Sequence, residues 1–193
     1  MIDTLCDAAG EAREDNMAVA CFYFHFAAQK EEQTAASMLG ALLKQVVGVY
    51  EQIPKEIRDA FEKKKKVIGG LKLGLAEIVK LLGSLSSFRR TFFCLDALDE
   101  CVPGDRVQIL RSLGDILKMS PTTRLLITGR PHVGSEMERH LPGGVVLVSI
   151  SPQKNEIIQY IHAKLVEDTT PDEMDEELEA EIVKMIPASV PEM

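Results

Sequence analysis

T-F-F-C-L-D-A-L-D-E-C, residues Thr91–Cys101, is the stretch from which the rest of the chain can be read. An apolar run, Phe92–Leu95, stops at Asp96. Ala97 and Leu98 follow, and then two more acids, Asp99 and Glu100. Four apolar residues bounded by turn signals suit a strand buried on both faces of a parallel sheet. Open α/β sheets bind ligands at the carboxyl ends of their strands, and Asp96 stands at such an end. An acid at the tip of an apolar strand is one way to hold Mg²⁺ beside a phosphate chain. Asp also opens turns and caps helices, so these residues alone leave both readings open.

Upstream, Ala18–Phe26 (A-V-A-C-F-Y-F-H-F) is dense in β-formers and reads as a buried strand. Glu31–Tyr50 carries Met38, Leu42, Val46 and Val49 at helical spacing, with Thr34 or Ser37 as its start. Ile53–Lys66 reads as a second helix with Pro54 in its first turn. Its Lys63–Lys66 run sits among Glu51, Glu56, Asp59 and Glu62, and reads as a solvated helix end. Gly69-Gly70 interrupts the pattern, and Leu71–Leu85 resumes it. Ile2–Leu5 reads as the tail of a helix.

Downstream, Pro103-Gly104-Asp105 turns the chain into an amphipathic helix marked by Val107, Leu110, Leu113 and Leu117. Arg124–Thr128 is a further strand, followed by Gly129-Arg130-Pro131 and a short helix over about 134–140. Val145–Ile150 (V-V-L-V-S-I) reads as a fourth strand. A helix opened by Ser151-Pro152 follows, then an acidic loop at 168–175 and a last helix, Glu176–Ile186. Strands separated by helices predict an α/β fold with a parallel sheet.

The 193 residues suffice for one α/β domain with a core. A formal net charge of −8 argues against a non-specific nucleic-acid or acidic-membrane binder, so neither partner is expected. No apolar stretch is long enough to span a bilayer, and the start is not read as a secretory signal. Cys6, Cys21, Cys94 and Cys101 form no C-x-x-C pair and read as reduced residues of a cytoplasmic protein.

Four segments, taken in order, resemble the NACHT-domain NTPases of the STAND class, and most of all the nephrocystin-like type of fungal multidomain proteins. The Walker B strand of that family is matched by D-A-L-D-E at 96–100. Its A-C-F-Y-F strand is matched at Ala20–Phe24, with the following helix at Gln33–Val46. Its T-S-R-P is matched by Thr128-Gly129-Arg130-Pro131, with Gly in place of Ser. Its N-x-x-I-x-x-Y-I helix is matched within Ser151–Ile161. The resemblance implies that Asp96 holds Mg²⁺, and that Asp99 or Glu100 orients or deprotonates an attacking water. It implies that Arg130 binds the γ-phosphate of ATP or GTP.

The resemblance also implies a P-loop NTPase-type three-layer sandwich with sheet order 5-1-4-3-2. A phosphate loop, G-x-x-x-x-G-K-[ST], is absent from these residues. The expected sandwich is therefore incomplete, without strand 1. Val145–Ile150 is expected either to drift or to pair directly with Arg124–Thr128. Residues 1–166 are expected to be part of the nucleotide-binding domain, and 167–193 the start of a following helical region.

Two functions follow as expectations. One is a fragment of a signalling NTPase whose parent binds Mg²⁺ and ATP or GTP. Its partners would be its own effector domain, winged helix and C-terminal repeats, and the chain alone would hold nucleotide poorly. The other is a non-catalytic module that binds a full-length NACHT protein. A metal-dependent enzyme built on Asp96, Asp99 and Glu100 would need further ligands from other strand ends.

Overall fold

Phe93, Cys94 and Leu95 are consecutive and all fully buried. Successive residues of a strand point to opposite faces, so both faces of this strand are covered. In the computed structural model they belong to β2 (Arg90–Asp96), the centre of a three-stranded sheet. The structure describes residues 17–25, 34–65, 72–141, 143–167 and 175–189. The predicted helix tail at Ile2–Leu5, the Gly69-Gly70 break and most of the acidic loop at 168–175 lie outside the described residues.

The other strands are β1 (Met17–Tyr23) and β3 (Arg124–Ile127), in the order β1-β2-β3. Both pair with β2 in parallel. Tyr23 lies opposite Asp96, and Leu95 opposite Ile127. The predicted parallel sheet is therefore present, and its three paired strands are neighbours. The chain divides into two compact units, Met1–Leu147 and Val148–Met193.

In the first unit, α1 (Ala35–Gly48), α2 (Lys55–Lys65), α3 (Leu75–Ser87) and α4 (Pro103–Met119) lie between the strands in sequence. Thr34 caps α1, its Oγ1 accepting from the Ser37 amide at 3.2 Å, and Pro103 opens α4 at its first turn. Met38, Leu39 and Leu42 of α1, Leu82 and Leu85 of α3, and Ile109, Leu110, Leu113 and Ile116 of α4 form one core with Phe93 and Leu95. By contrast α2 buries only Ile57. A short helix, α5 (Gly134–His140), completes the unit's helices.

The turn into β3 is fixed by hydroxyls. Ser120 Oγ donates to the Ser86 carbonyl at 2.8 Å, and Thr123 Oγ1 donates to Ser120 Oγ at 2.9 Å. The end of α4 is thus tied to the end of α3.

Val145–Ile150 forms no strand. Val145 packs against the core, but Val146, Val148 and Ile150 are 89%, 75% and 83% exposed. A β-segment needs a ladder for its amides and carbonyls, and this one pairs with none of the described strands. Of the two outcomes expected for this segment, drifting is the one observed.

The second unit holds α6 (Lys154–Val166) and α7 (Glu176–Ser189). α6 begins three residues after Ser151, where Glu156 Oε2 accepts from the Gln153 amide at 2.7 Å. α7 runs through Pro187, past the predicted end at Ile186. A proline in the last turn removes only one late helical hydrogen bond.

Candidate functional site

The site forms where β2 and β3 end side by side. The ladder between them continues past the strands. The Thr128 amide donates to the Leu95 carbonyl at 2.9 Å, and the Leu98 amide to the Thr128 carbonyl at 3.0 Å. Between those bonds the β2 chain must turn sharply. It does so at Ala97, whose φ of 54° and ψ of 46° place it in the left-handed region. Among the described residues it is the one non-glycine with positive φ. A small side chain limits the steric cost there.

Thr128 holds this turn. Its Oγ1 donates to Asp96 Oδ1 at 2.5 Å and accepts from the Ala97 amide at 3.0 Å. On the other side of β2, the Phe24 amide donates to the Asp96 carbonyl at 3.0 Å. Asp96 is half-buried, and its Oδ2 meets no hydrogen-bond donor among the described residues.

After Ala97 the chain makes one 3₁₀ turn, Leu98–Glu100, anchored by the fully buried Leu98. Asp99 turns inward, its side chain 10% exposed, and meets Arg130 through one hydrogen bond and one ion pair. The main-chain amide of Arg130 reaches Oδ1 at 3.2 Å, and its Nε reaches Oδ2 at 3.2 Å. The rest of the Arg130 side chain is open, at 78% exposure. Glu100 is exposed, and its carboxylate makes no hydrogen bond or ion pair among the described residues.

Gly129 permits this closeness. A Cβ there would stand 3.1 Å from Val133 Cγ2 and 3.4 Å from Asp99 Oδ1, so a serine would require a shift of a few tenths of an ångström.

Behind the turn, Arg106 of α4 is buried. It donates to the Cys101 carbonyl at 3.2 Å and makes a two-pronged pair with Glu136 of α5, at 2.7 and 2.8 Å. The hydrogen bonds from Arg106 hold the Glu136 carboxyl below its ordinary range, and the same pair holds Arg106 firmly protonated. Burial, with Asp105 nearby, pushes the Cys101 thiol up to about 11. That sulfur is no nucleophile at neutral pH.

Of the four residues singled out in the sequence, only Asp99 and Arg130 pair with each other. Asp96 stands with Thr128, Asp99 with Arg130, and Glu100 faces solvent. Thr128 and Arg106 were not predicted to matter. The signal for Thr128 was its place at the tip of the neighbouring strand, in T-G-R-P. Arg106 gave none, because its partner is thirty residues away.

A family model described as Nephrocystin 3, N-terminal, matches residues 1–130, two thirds of the chain. The chain belongs to the nephrocystin 3 N-terminal family. That span takes in β1, β2, β3 and all four acids and bases of the site, ending on Arg130. No curated protein matches the chain.

Whether this family member can hold a cation depends on its donor set. Among the described residues, no three His, Cys, Asp or Glu side chains converge as a metal cluster. That does not suit zinc or calcium, which take several protein ligands. A single half-buried carboxylate oxygen, with its twin fixed by a hydroxyl, does suit Mg²⁺. That ion keeps most of its waters and needs one or two carboxylates beside a phosphate chain. No helix among the described residues is long and apolar enough to cross a membrane.

Proposed function

We propose that this nephrocystin 3 N-terminal chain is the acid-bearing part of a NACHT-type nucleoside-triphosphatase switch, working in the cytoplasm within a longer protein. The parent would supply the phosphate loop, effector domain, winged helix and C-terminal repeats. On this reading β1, β2 and β3 are strands 2, 3 and 4 of a P-loop NTPase-type sheet. Residues 1–166 then belong to the nucleotide-binding domain, and 167–193 open a helical region.

The observation that carries the reading is the Thr128–Asp96 bond, which fixes one carboxylate oxygen and leaves the other available at the strand end. Asp96 would hold the Mg²⁺ of an ATP or GTP complex, and that ion neutralises charge on the phosphate oxygens. Glu100 is the better placed of the two candidate bases, because its carboxylate is exposed and uncommitted among the described residues. Asp99 is a positioning residue that holds the Arg130 main chain and guanidinium. The open end of the Arg130 guanidinium would bind a γ-phosphate, and release from Asp99 would add its Nε.

The test is Mg²⁺-dependent binding and hydrolysis of ATP and GTP by the parent. Asp96→Asn should abolish the Mg²⁺ dependence of binding. Glu100→Gln should leave binding intact and slow turnover by about 10²-fold or more. Unchanged binding and turnover in both variants would sink the reading.

A second reading is a non-catalytic module that binds a full-length NACHT protein. It is favoured by the unladdered apolar segment Val145–Ile150. The mass of the endogenous protein separates the two. A species of 21.3 kDa favours the module, and a much larger one favours the switch.

A further inference from the structure

The outer face of the first unit's helices carries a groove that none of the functional residues touches. It measures about 730 Å³ and runs between α1 and α2, with the residues leading into α3 beneath it. Its floor and walls are Gly40, Leu43 and Val47 of α1, Ile57 and Phe61 of α2, and Ile78 of α3. This groove exists because α2 is held along α3 rather than against α1. Ser84 Oγ of α3 donates to Glu56 at 2.8 Å, and Lys64 pairs with Glu77 at 3.0 Å. With these two polar clips and the single buried Ile57, α2 stands off from α1.

The surfaces left facing each other are apolar. Phe61 is 44% exposed, and Ile53, at the groove's end, is 57% exposed. α1 contributes its small residues Ala36, Ser37 and Gly40 to the wall. Among the described residues, a Cβ at Gly40 would meet only Ile78 Cδ1, at 3.9 Å. A partner can therefore approach the α1 backbone closely.

The rim is basic in an otherwise acidic chain. Lys44, Arg58, Lys65 and Lys72 line it against a single acid, Glu62, whereas the whole chain carries −8. The cations are spread along the groove. Arg58 and Lys65 are seven residues apart on α2, which separates their backbones by about 10 Å. A one-headed amphiphile such as a fatty acid would use cations at one end. Cations spaced along both walls fit a ligand with acids repeated along its length. The two helical walls and apolar floor fit the apolar stripe of a helix, anchored at i, i+4 and i+7.

We propose that the α1–α2 groove is the docking site for an acidic amphipathic helix of a partner protein. It is separate from the Asp96 site and does not rest on the nucleotide reading.

The test uses the full 193-residue chain and two fluorescein-labelled designed helical peptides. Both carry the same Leu stripe, one with Glu and the other with Lys on the polar face. Fluorescence anisotropy should show saturable binding of the Glu peptide and at least tenfold weaker binding of the Lys peptide. Gly40→Phe, which fills the groove, should weaken the Glu peptide at least tenfold. The double variant Lys44→Glu/Lys65→Glu alters only exposed side chains, so it tests the site even if Gly40→Phe fails to fold. It should weaken the Glu peptide at least tenfold and improve the Lys peptide. Equal binding of the two peptides, no binding, or indifference to the charge reversal overturns the proposal. So does groove-dependent binding of laurate without binding of the Glu peptide, which would make the groove a small-amphiphile site.

Discussion

Thr128 joins the ends of two neighbouring strands by donating its hydroxyl to Asp96 Oδ1 at 2.5 Å while accepting the Ala97 amide at 3.0 Å. One hydroxyl thus satisfies the main-chain donor that the sharp turn exposes and orients the carboxylate that ends β2. The acid at the strand tip is a pre-positioned group, and its position is set by β3. Asp99 repeats the arrangement in the opposite direction, with an acid after β2 holding the main chain that leaves β3.

Replacing Thr128 by Val keeps the shape and removes both bonds. The Ala97 amide then has no acceptor in a half-buried turn, and Asp96 loses its donor. The expected loss is about 1–2 kcal/mol in urea unfolding. Thr128→Ser retains the hydroxyl and should recover most of that stability. A Val variant as stable as the parent chain would show that water replaces both bonds.

Ala97 pays for its left-handed conformation with a Cβ close to its own carbonyl. Ala97→Gly removes that contact and should raise stability by up to about 1 kcal/mol, the relief exceeding the extra freedom of the unfolded chain. Ala97→Val should lower it, because a β-branched side chain is poorest at positive φ. Thermal unfolding of the three proteins should rank Gly above Ala above Val.

The Arg106–Glu136 pair makes the first unit acid-sensitive. The folded-state pKa of Glu136 is depressed below 4.5, so the pair's contribution is fully present above the unfolded value. It fades as pH falls through the lower folded value. Glu136→Gln should cost about 2 kcal/mol at pH 7, within the range for hydrogen bonds to a charged group. The gap between variant and parent should close steadily below about pH 4.5. A gap that stays constant from pH 7 to pH 3 would mean that packing, not charge, joins α4 to α5.

Much of the sheet was legible because its residues announce burial directly. Phe92–Leu95 is apolar without alternation, and β2 is covered on both faces. Thr34, before an apolar helical stripe, did cap α1. Val145–Ile150 carries the same apolar signal and forms no strand. Composition records what a segment could bury, whereas a strand also needs a neighbour to complete its ladder. The acids of the site were legible as types at a strand end, but their pairing was not. Asp99 and Arg130 are 31 residues apart, and only the adjacency of β2 and β3 brings them together. Arg130 was legible as a cation beside a strand end, but its link to Asp99 was not.

Cys101 should be inert until the first unit opens. It is 3% exposed, and its thiol is held up to about 11, against 9.0 for an unperturbed cysteine. Native protein at pH 8 should leave Cys101 unmodified by iodoacetamide over times that label it fully in urea, as read by peptide mass. The raised pKa also sets a sign. Folding favours the protonated thiol, so this contribution is intact below pH 9 and declines as pH rises toward 11. Cys101→Ala should flatten that alkaline decline.

Gln45 covers part of β1, the edge strand of the sheet among the described residues. Its side-chain amide lies against β1 as a neighbouring strand would, with Oε1 accepting from the Cys21 amide at 2.9 Å and Nε2 donating to the Cys21 carbonyl at 2.8 Å. An open edge is a template for another chain, and native sheets cover or charge such edges. Gln45→Leu keeps the bulk of the side chain and removes both of its bonds to the Cys21 main chain. Water can replace the lost bonds at this partly exposed position, so the stability cost should be small, about 1 kcal/mol. The larger effect should be on association. Light scattering of Gln45→Leu should show concentration-dependent growth under conditions where the parent chain scatters less, and Gln45→Glu, which puts a charge at the edge, should suppress it. Equal scattering by the parent chain, the Leu variant and the Glu variant would place the association-prone surface elsewhere, with the exposed residues Val146–Ile150 the next segment to alter.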